Sequence, residues 1–152
     1  LSIFLAPNVN SYKRFQEGSV APTTAAWGLD NRTAGFRLAG HGNSIRIECR
    51  VPGADVNPYL AFSGLILAGL YGIENNLKLE DPLKGNIYQN KKAKIVPGTL
   101  REAIEIAKKS KLLPKIFLPD VLEHYIHSAQ WEQSEYDKSV NDWEHKRYFE
   151  RG

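Results

Sequence analysis

The sequence predicts an α+β fold, strands first and helices after. Three observations point to it. Residues 1 to 58 are broken by turn formers, at Pro7-Asn8, Gly18, Pro22, Gly40 to Asn43 and Pro52-Gly53, and carry no helical periodicity. From Pro58 onward, apolar residues recur at spacings of three, four and seven. At 152 residues, without internal repeats or low-complexity tracts, the chain suits one compact domain and is short for two.

In chain order, strands are expected at Ser2 to Ala6, Thr33 to Ala39 and Ser44 to Arg50. Asn57 then offers an N-cap and Pro58 a first helical residue, opening a helix to about Asn75. That helix is apolar almost all round and is expected inside, with Ala61, Ser63, Gly64, Ala68 and Gly69 allowing close approach. A loop with Pro82, Gly85 and Pro97-Gly98 follows. Thr99 and Glu102 form a capping-box pattern for a helix to about Ser110, whose buried stripe is Leu100, Ala103, Ile104 and Ala107. Leu122, Tyr125, Ile126, Ala129, Tyr136, Val140 and Trp143 predict one long C-terminal helix from Pro119 to Tyr148. If straight, it would run about 45 Å.

Charge is unevenly distributed. Residues 1 to 50 hold six bases and three acids, and the remainder holds fourteen of each. Five of the eight arginines lie in those first fifty residues against one of the twelve lysines, which favours specific anion recognition over a diffuse field. Lys91, Lys92, Lys94, Lys108, Lys109 and Lys111 lack interleaved aromatics, so no nucleic-acid partner is expected. Tyr59 to Ile73, the longest apolar run, is too short to span a bilayer, and no membrane partner is expected. The single cysteine, Cys49, excludes an internal disulfide, and with no signal peptide in view the expected compartment is the cytoplasm. The strand-like opening at Leu1 and the lack of methionine suggest a piece of something longer.

Arg46-Ile47-Glu48-Cys49-Arg50 carries the sharpest local chemistry. With a period of two, Arg46, Glu48 and Arg50 share one face and Ile45, Ile47 and Cys49 the other. A carboxylate between guanidinium groups stays ionised and can hold a divalent cation, while the guanidinium forks suit phosphate or carboxylate. The competing reading is a solvated face whose charges only pair with each other. The strand alone leaves both open.

Four motifs in order decide between them: Asn10-Ser11-Tyr12-Lys13-Arg14, Asn31-Arg32 with Arg37, Arg46 to Arg50, and Asn57-Pro58-Tyr59-Leu60-Ala61. Together they resemble the C-terminal part of the catalytic domain of glutamine synthetase-type ligases, over the whole chain and more loosely after about Asn76. The resemblance implies antiparallel strands of that domain followed by packed helices. It also implies ATP-dependent phosphorylation of glutamate to γ-glutamyl phosphate, then displacement of phosphate by ammonia or an organic amine. By motif, Arg14 and Arg50 would bind glutamate, and Arg32, Arg37 and Arg46 would face the nucleotide, with Arg32 also at the transferring phosphoryl group as a catalytic residue. Glu48 would ligate a Mg2+ or Mn2+ ion. Family members form homo-oligomeric rings, usually dodecamers, and contain a β-grasp domain and a first half of the catalytic domain that have no counterpart in residues 1 to 152. This piece alone is therefore expected to be inactive.

One departure bears on the substrate. Where ammonia-using members carry a glutamate in the loop after the first motif, the stretch Glu17-Gly18-Ser19-Val20-Ala21-Pro22 places Val20. A valine neither attracts ammonium nor takes its proton. The resemblance is thus nearest to the γ-glutamyl polyamine or ethanolamine ligases, with ammonia-dependent glutamine synthesis and a noncatalytic structural relative as alternatives. Glu17 is the one nearby acid that could substitute. Asn43 replaces a lysine that many relatives place near the nucleotide. His124 and His127 sit at helical spacing but lack an apparent third ligand, which makes them structural residues.

Overall fold

The computed structural model describes residues 1–151. Its elements are α1 (Ser2–Leu5), β1 (Trp27–Leu29), β2 (Phe36–Ala39), β3 (Arg46–Cys49), α2 (Pro58–Glu74), α3 (Leu100–Lys108), α4 (Leu113–Ile116), α5 (Pro119–Lys138) and α6 (Asp142–Tyr148). Short 3-10 turns lie at Val9–Arg14, Gly42–Ser44 and Ile87–Gln89. The α+β class holds. The three strands form one mixed sheet in the order β1-β2-β3, with β2 and β3 antiparallel as expected but β1 and β2 parallel. The return from β1 to β2 takes only residues 30 to 35, and Asp30 starts it at φ 45°, a left-handed conformation that aspartate tolerates better than most residues.

The expected first strand is instead a single helical turn. Ile3, Phe4, Leu5 and Ala6 are all buried, and Phe4 stacks on Phe117 at 4.6 Å between ring centroids. A continuous apolar run of this length has no alternation to distinguish strand from buried helix. Burial on every side selects the compact form here. Around α1 the main core gathers Tyr12, the α3 stripe Leu100, Ala103, Ile104 and Ala107, then Leu113, Leu122 and Ala129. The Thr99 hydroxyl caps α3 by accepting from the Glu102 N–H at 3.1 Å, while the Glu102 carboxylate reaches back to the Gly98 N–H at 2.8 Å, one residue beyond a standard box. A smaller cluster of Leu5, Val51, Ala61 and Val96 joins α2 to the strand region.

Asn57 caps α2 as its sequence indicates, its side-chain oxygen accepting from the Tyr59 N–H at 3.0 Å. The expectation that α2 is buried all round is not met. Only Ala61 and Gly64 are buried, while Tyr59, Phe62, Ile66, Leu70 and Ile73 are exposed. The described residues supply neighbours on one side of this helix only. The apolar side of β3 is likewise open at Ile45 and Ile47.

The expected 119–148 helix is two helices. Asn141 stops the first by capping the second: its side chain accepts from the Trp143 and Glu144 N–H groups, and the Glu144 carboxylate returns to the Asn141 N–H at 3.0 Å. This capping box outweighs the apolar stripe that runs across the break through Val140.

Candidate functional site

The antiparallel register sets Arg37 of β2 opposite Glu48 of β3, so both side chains rise from the same face of the sheet. Arg37 Nη1 donates to Glu48 Oε2 at 2.7 Å, and Arg50 Nη1 donates to Glu48 Oε1 at 2.7 Å. On its far side Arg37 also holds the Asp30 carboxylate, with Nε donating at 2.9 Å and Nη2 closing the fork. The result is a chain of alternating charge, Asp30, Arg37, Glu48, Arg50. The charges pair with each other, and the shielding is uneven: the Arg37 and Arg50 side chains are 15% and 12% exposed, those of Glu48 and Asp30 36% and 76%. The Arg37 and Arg50 guanidinium groups hold the Glu48 carboxyl below the ordinary carboxylate range, and Arg37 does the same to Asp30.

Two cavities flank this chain. One, of about 640 Å³, is walled by Asp30, Asn31, Arg32 and Arg37 and by the segment from Pro82 to Gly85. Asn31 builds its corner, donating to the Gly85 carbonyl at 2.9 Å and accepting from the Thr33 N–H at 3.0 Å and the Thr33 hydroxyl at 2.7 Å. That leaves Arg32 exposed beside Arg37.

The other cavity, of about 460 Å³, brings together Arg14, Glu48 and Arg50 with Ser19, Val20, Ala21, Cys49 and Pro52. Arg14 is held there by donating to the Val51 carbonyl at 3.0 Å. Asp55 ties the first motif to this wall by accepting from the Ser11 hydroxyl and the Asn8 amide. Burial, the largest single influence on Asp55, works against its ionisation, but the bonds from Ser11 and Asn8 still bring its carboxyl below the usual value. Gly53 permits the approach of Arg14, because a Cβ at this position would lie 2.9 Å from Arg14 Nη1. Burial pushes the Cys49 thiol up, which suits packing rather than nucleophilic attack.

Val20 stands at the mouth of this second cavity. Its side chain is 83% exposed, and its carbonyl accepts from Arg50 Nη2 at 3.0 Å. Among the described residues Glu48 is the only carboxylate lining the cavity, and both its oxygens are already taken by guanidinium groups. Glu17, the nearby acid, does not line it.

Of the residues singled out in the sequence, Arg14, Glu48 and Arg50 share one cavity, Arg32 and Arg37 share the other, and the Arg37–Glu48 pair joins the two. Arg46 lines neither: its exposed side chain bonds only to the Ser44 carbonyl, at 3.3 Å. As a metal ligand Glu48 is incomplete within this chain. No cluster of three or more His, Cys, Asp or Glu able to hold a metal occurs among the described residues, so His124 and His127 find no third ligand either. A divalent cation takes about six or more oxygen ligands. Residues 1 to 151 thus fit one ligand of a site completed from elsewhere, on condition that Glu48 releases an arginine.

The sequence reading passed over Asp30, Asp55 and Tyr88. Asp55 follows the Pro52-Gly53 turn, but nothing local announces its partner 44 residues away. Tyr88 donates its hydroxyl toward the Ser19 and Ala21 carbonyls at 2.8 and 2.9 Å, from a turn with no motif of its own.

Comparison with known proteins places this geometry. The family model described as "Glutamine synthetase, catalytic domain" matches residues 1–148. A gamma-glutamylethanolamide synthetase, GlnA4 of Streptomyces coelicolor, is 53% identical over 150 residues, covering 99% of this chain and 32% of that protein. A glutamate–isopropylamine ligase of a Pseudomonas species is 41% identical over 153 residues, covering 99% and 33%. A solved structure of GmaS in complex with ADP superposes with a TM-score of 0.84 at 26% identity, covering 98% of this chain and 36% of that one. Glutamine synthetases match as well. The chain spans about a third of the length of the curated relatives it matches. No helix among the described residues is long and apolar enough to cross a membrane.

Proposed function

The chain belongs to the glutamine synthetase catalytic-domain family, and from that premise we propose that it is part of an ATP-dependent ligase joining glutamate to an organic amine through γ-glutamyl phosphate. Members of the family are carbon–nitrogen ligases acting on glutamate, ATP and ammonia or amines, and they use divalent metals. The reaction has two stages. A γ-carboxylate oxygen attacks the γ-phosphorus of ATP and ADP leaves. The amine nitrogen then attacks the γ-carbonyl carbon, loses a proton, and phosphate departs.

The first stage opposes two anions, so fixed positive charge must offset their repulsion. In our reading Arg14 and Arg50 bind the glutamate carboxylate in the smaller cavity, and Arg32 and Arg37 meet the nucleotide phosphates in the larger. Arg32, exposed and without a salt-bridge partner among the described residues, serves as the catalytic cation on the transferring phosphoryl group. Arg46 is assigned to the nucleotide by motif alone. A Mg2+ or Mn2+ ion held by Glu48 and by ligands outside this chain would supply further charge neutralisation at the phosphates. On this reading residues 1 to 152 have no ligase activity by themselves, and the intact protein is a homo-oligomeric ring.

Val20 is the observation that carries the choice of amine. It stands at the cavity mouth, where the described residues offer no free carboxylate to concentrate ammonium or accept its proton. An apolar, exposed side chain leaves room for a carbon substituent. The test is amine-dependent phosphate release by the intact enzyme. A higher kcat/KM for ethanolamine or a polyamine than for ammonium is expected. The reverse order would establish glutamine synthesis, and absence of any ATP-dependent release would favour a noncatalytic relative.

A further inference from the structure

We propose that Tyr88 is the positioning residue of the nucleophile-binding loop, holding residues 19 to 21 so that Val20 shapes the entrance for the incoming nitrogen. The inference rests on the assignment of the smaller cavity to glutamate and its nucleophile. Three consecutive carbonyls of this loop are held from two sides. Ser19 and Ala21 face the Tyr88 hydroxyl at 2.8 and 2.9 Å, while Val20 between them faces Arg50 Nη2 at 3.0 Å. One phenol carries one proton, so the two acceptors share it, and either arrangement leaves the loop in the same place.

The anchor is itself rigid. Ile87 beside it is 1% exposed, and its N–H donates to the Thr33 hydroxyl at 3.0 Å. The Tyr88 N–H donates to the Asn86 side chain at 3.1 Å. Tyr88 thus reaches across from the Ile87–Gln89 turn, just after the 82–85 wall of the larger cavity and 67 residues beyond Ala21. The nucleotide wall does not depend on the phenol, because Asn31 and Gly85 keep their own bond at 2.9 Å. A change at the hydroxyl should therefore be felt at the nucleophile and not at ATP.

The experiment is Tyr88→Phe in the intact enzyme, with KM and kcat measured for the nucleophile that the wild type prefers, for glutamate and for ATP. Removing the hydroxyl leaves two carbonyls without their donor, and the KM for the nucleophile is expected to rise about tenfold. The KM for ATP and ATP binding by calorimetry should change less than twofold. An unchanged nucleophile KM would overturn the proposal, and so would an equal loss for all three substrates or loss of ATP binding, which mark a purely structural role. A wild type that prefers ammonium would defeat the amine reading above, while the ratio of variant to wild type would still decide the role of Tyr88.

Discussion

Replacing Glu48 with glutamine tests whether the charge chain is a clamp or a coincidence of neighbours. The carboxylate accepts from Arg37 through one oxygen and from Arg50 through the other, each at 2.7 Å. A glutamine keeps one acceptor and turns an N–H pair toward the second guanidinium, so one charge-assisted bond is lost. Such a bond contributes about 1.5–3 kcal/mol when well shielded. The Glu48 side chain is 36% exposed, and solvent screening reduces the loss to about 1 kcal/mol. Spread over an intact protein about three times the length of this chain, that is a fall in Tm of about 1 °C.

The sign with pH follows from the depressed Glu48 carboxyl. Its stabilisation is fully present above the unfolded pKa of about 4.3 and disappears as pH falls through the lower folded value. Calorimetric unfolding of the intact protein and of Glu48→Gln, with a chelator present so that metal loading cannot contribute, should show the gap at pH 7. The two curves should converge in acid. Equal midpoints at pH 7 would refute the clamp, and a gap of constant size down to acid pH would refute its electrostatic origin.

Two further outcomes follow from neighbouring contacts. Gly53→Ala should raise the KM for glutamate several-fold and leave that for ATP unchanged in steady-state kinetics, because the added Cβ would press on Asp55 Oδ1 from 2.6 Å and on Arg14 Nη1 from 2.9 Å. Asn57→Ala should lower stability by about 1 kcal/mol in denaturant unfolding, by removing the side-chain oxygen that caps the Tyr59 and Leu60 N–H groups of α2.

Elements with chemical punctuation were legible in the sequence. Asn57-Pro58 marks the start of α2, and Thr99 with Glu102 marks that of α3, because cap chemistry is local. The one-turn helix at Ser2–Leu5 was not legible, since an apolar run of that length looks alike in either conformation. Asn141 and Glu144 did spell a capping box, but the stripe continuing through Val140 and Trp143 masked it. In the site, alternation along β3 correctly put Glu48 and Arg50 on one face, whereas Arg46, also on that parity, turns to its own Ser44 carbonyl. The partners that hold Arg14 and the loop at residues 19 to 21 lie farther off. Asp55 and Tyr88 act 44 and 67 to 69 residues from what they fix, and no periodicity reports such a contact.

The alternating Asp30, Arg37, Glu48 and Arg50 also sets how single substitutions along this line are felt. Loss of Glu48 takes the carboxylate partner from Arg50 and one of two from Arg37, whose side chains are largely shielded, whereas loss of Asp30, 76% exposed, leaves Arg37 still paired with Glu48. Val20 is exposed, and the Arg50 guanidinium and the Tyr88 hydroxyl hold this loop through its backbone carbonyls, so the side chain at position 20 is not part of that line. On the proposed assignment, a change of nitrogen donor at position 20 would leave the charges around glutamate in place.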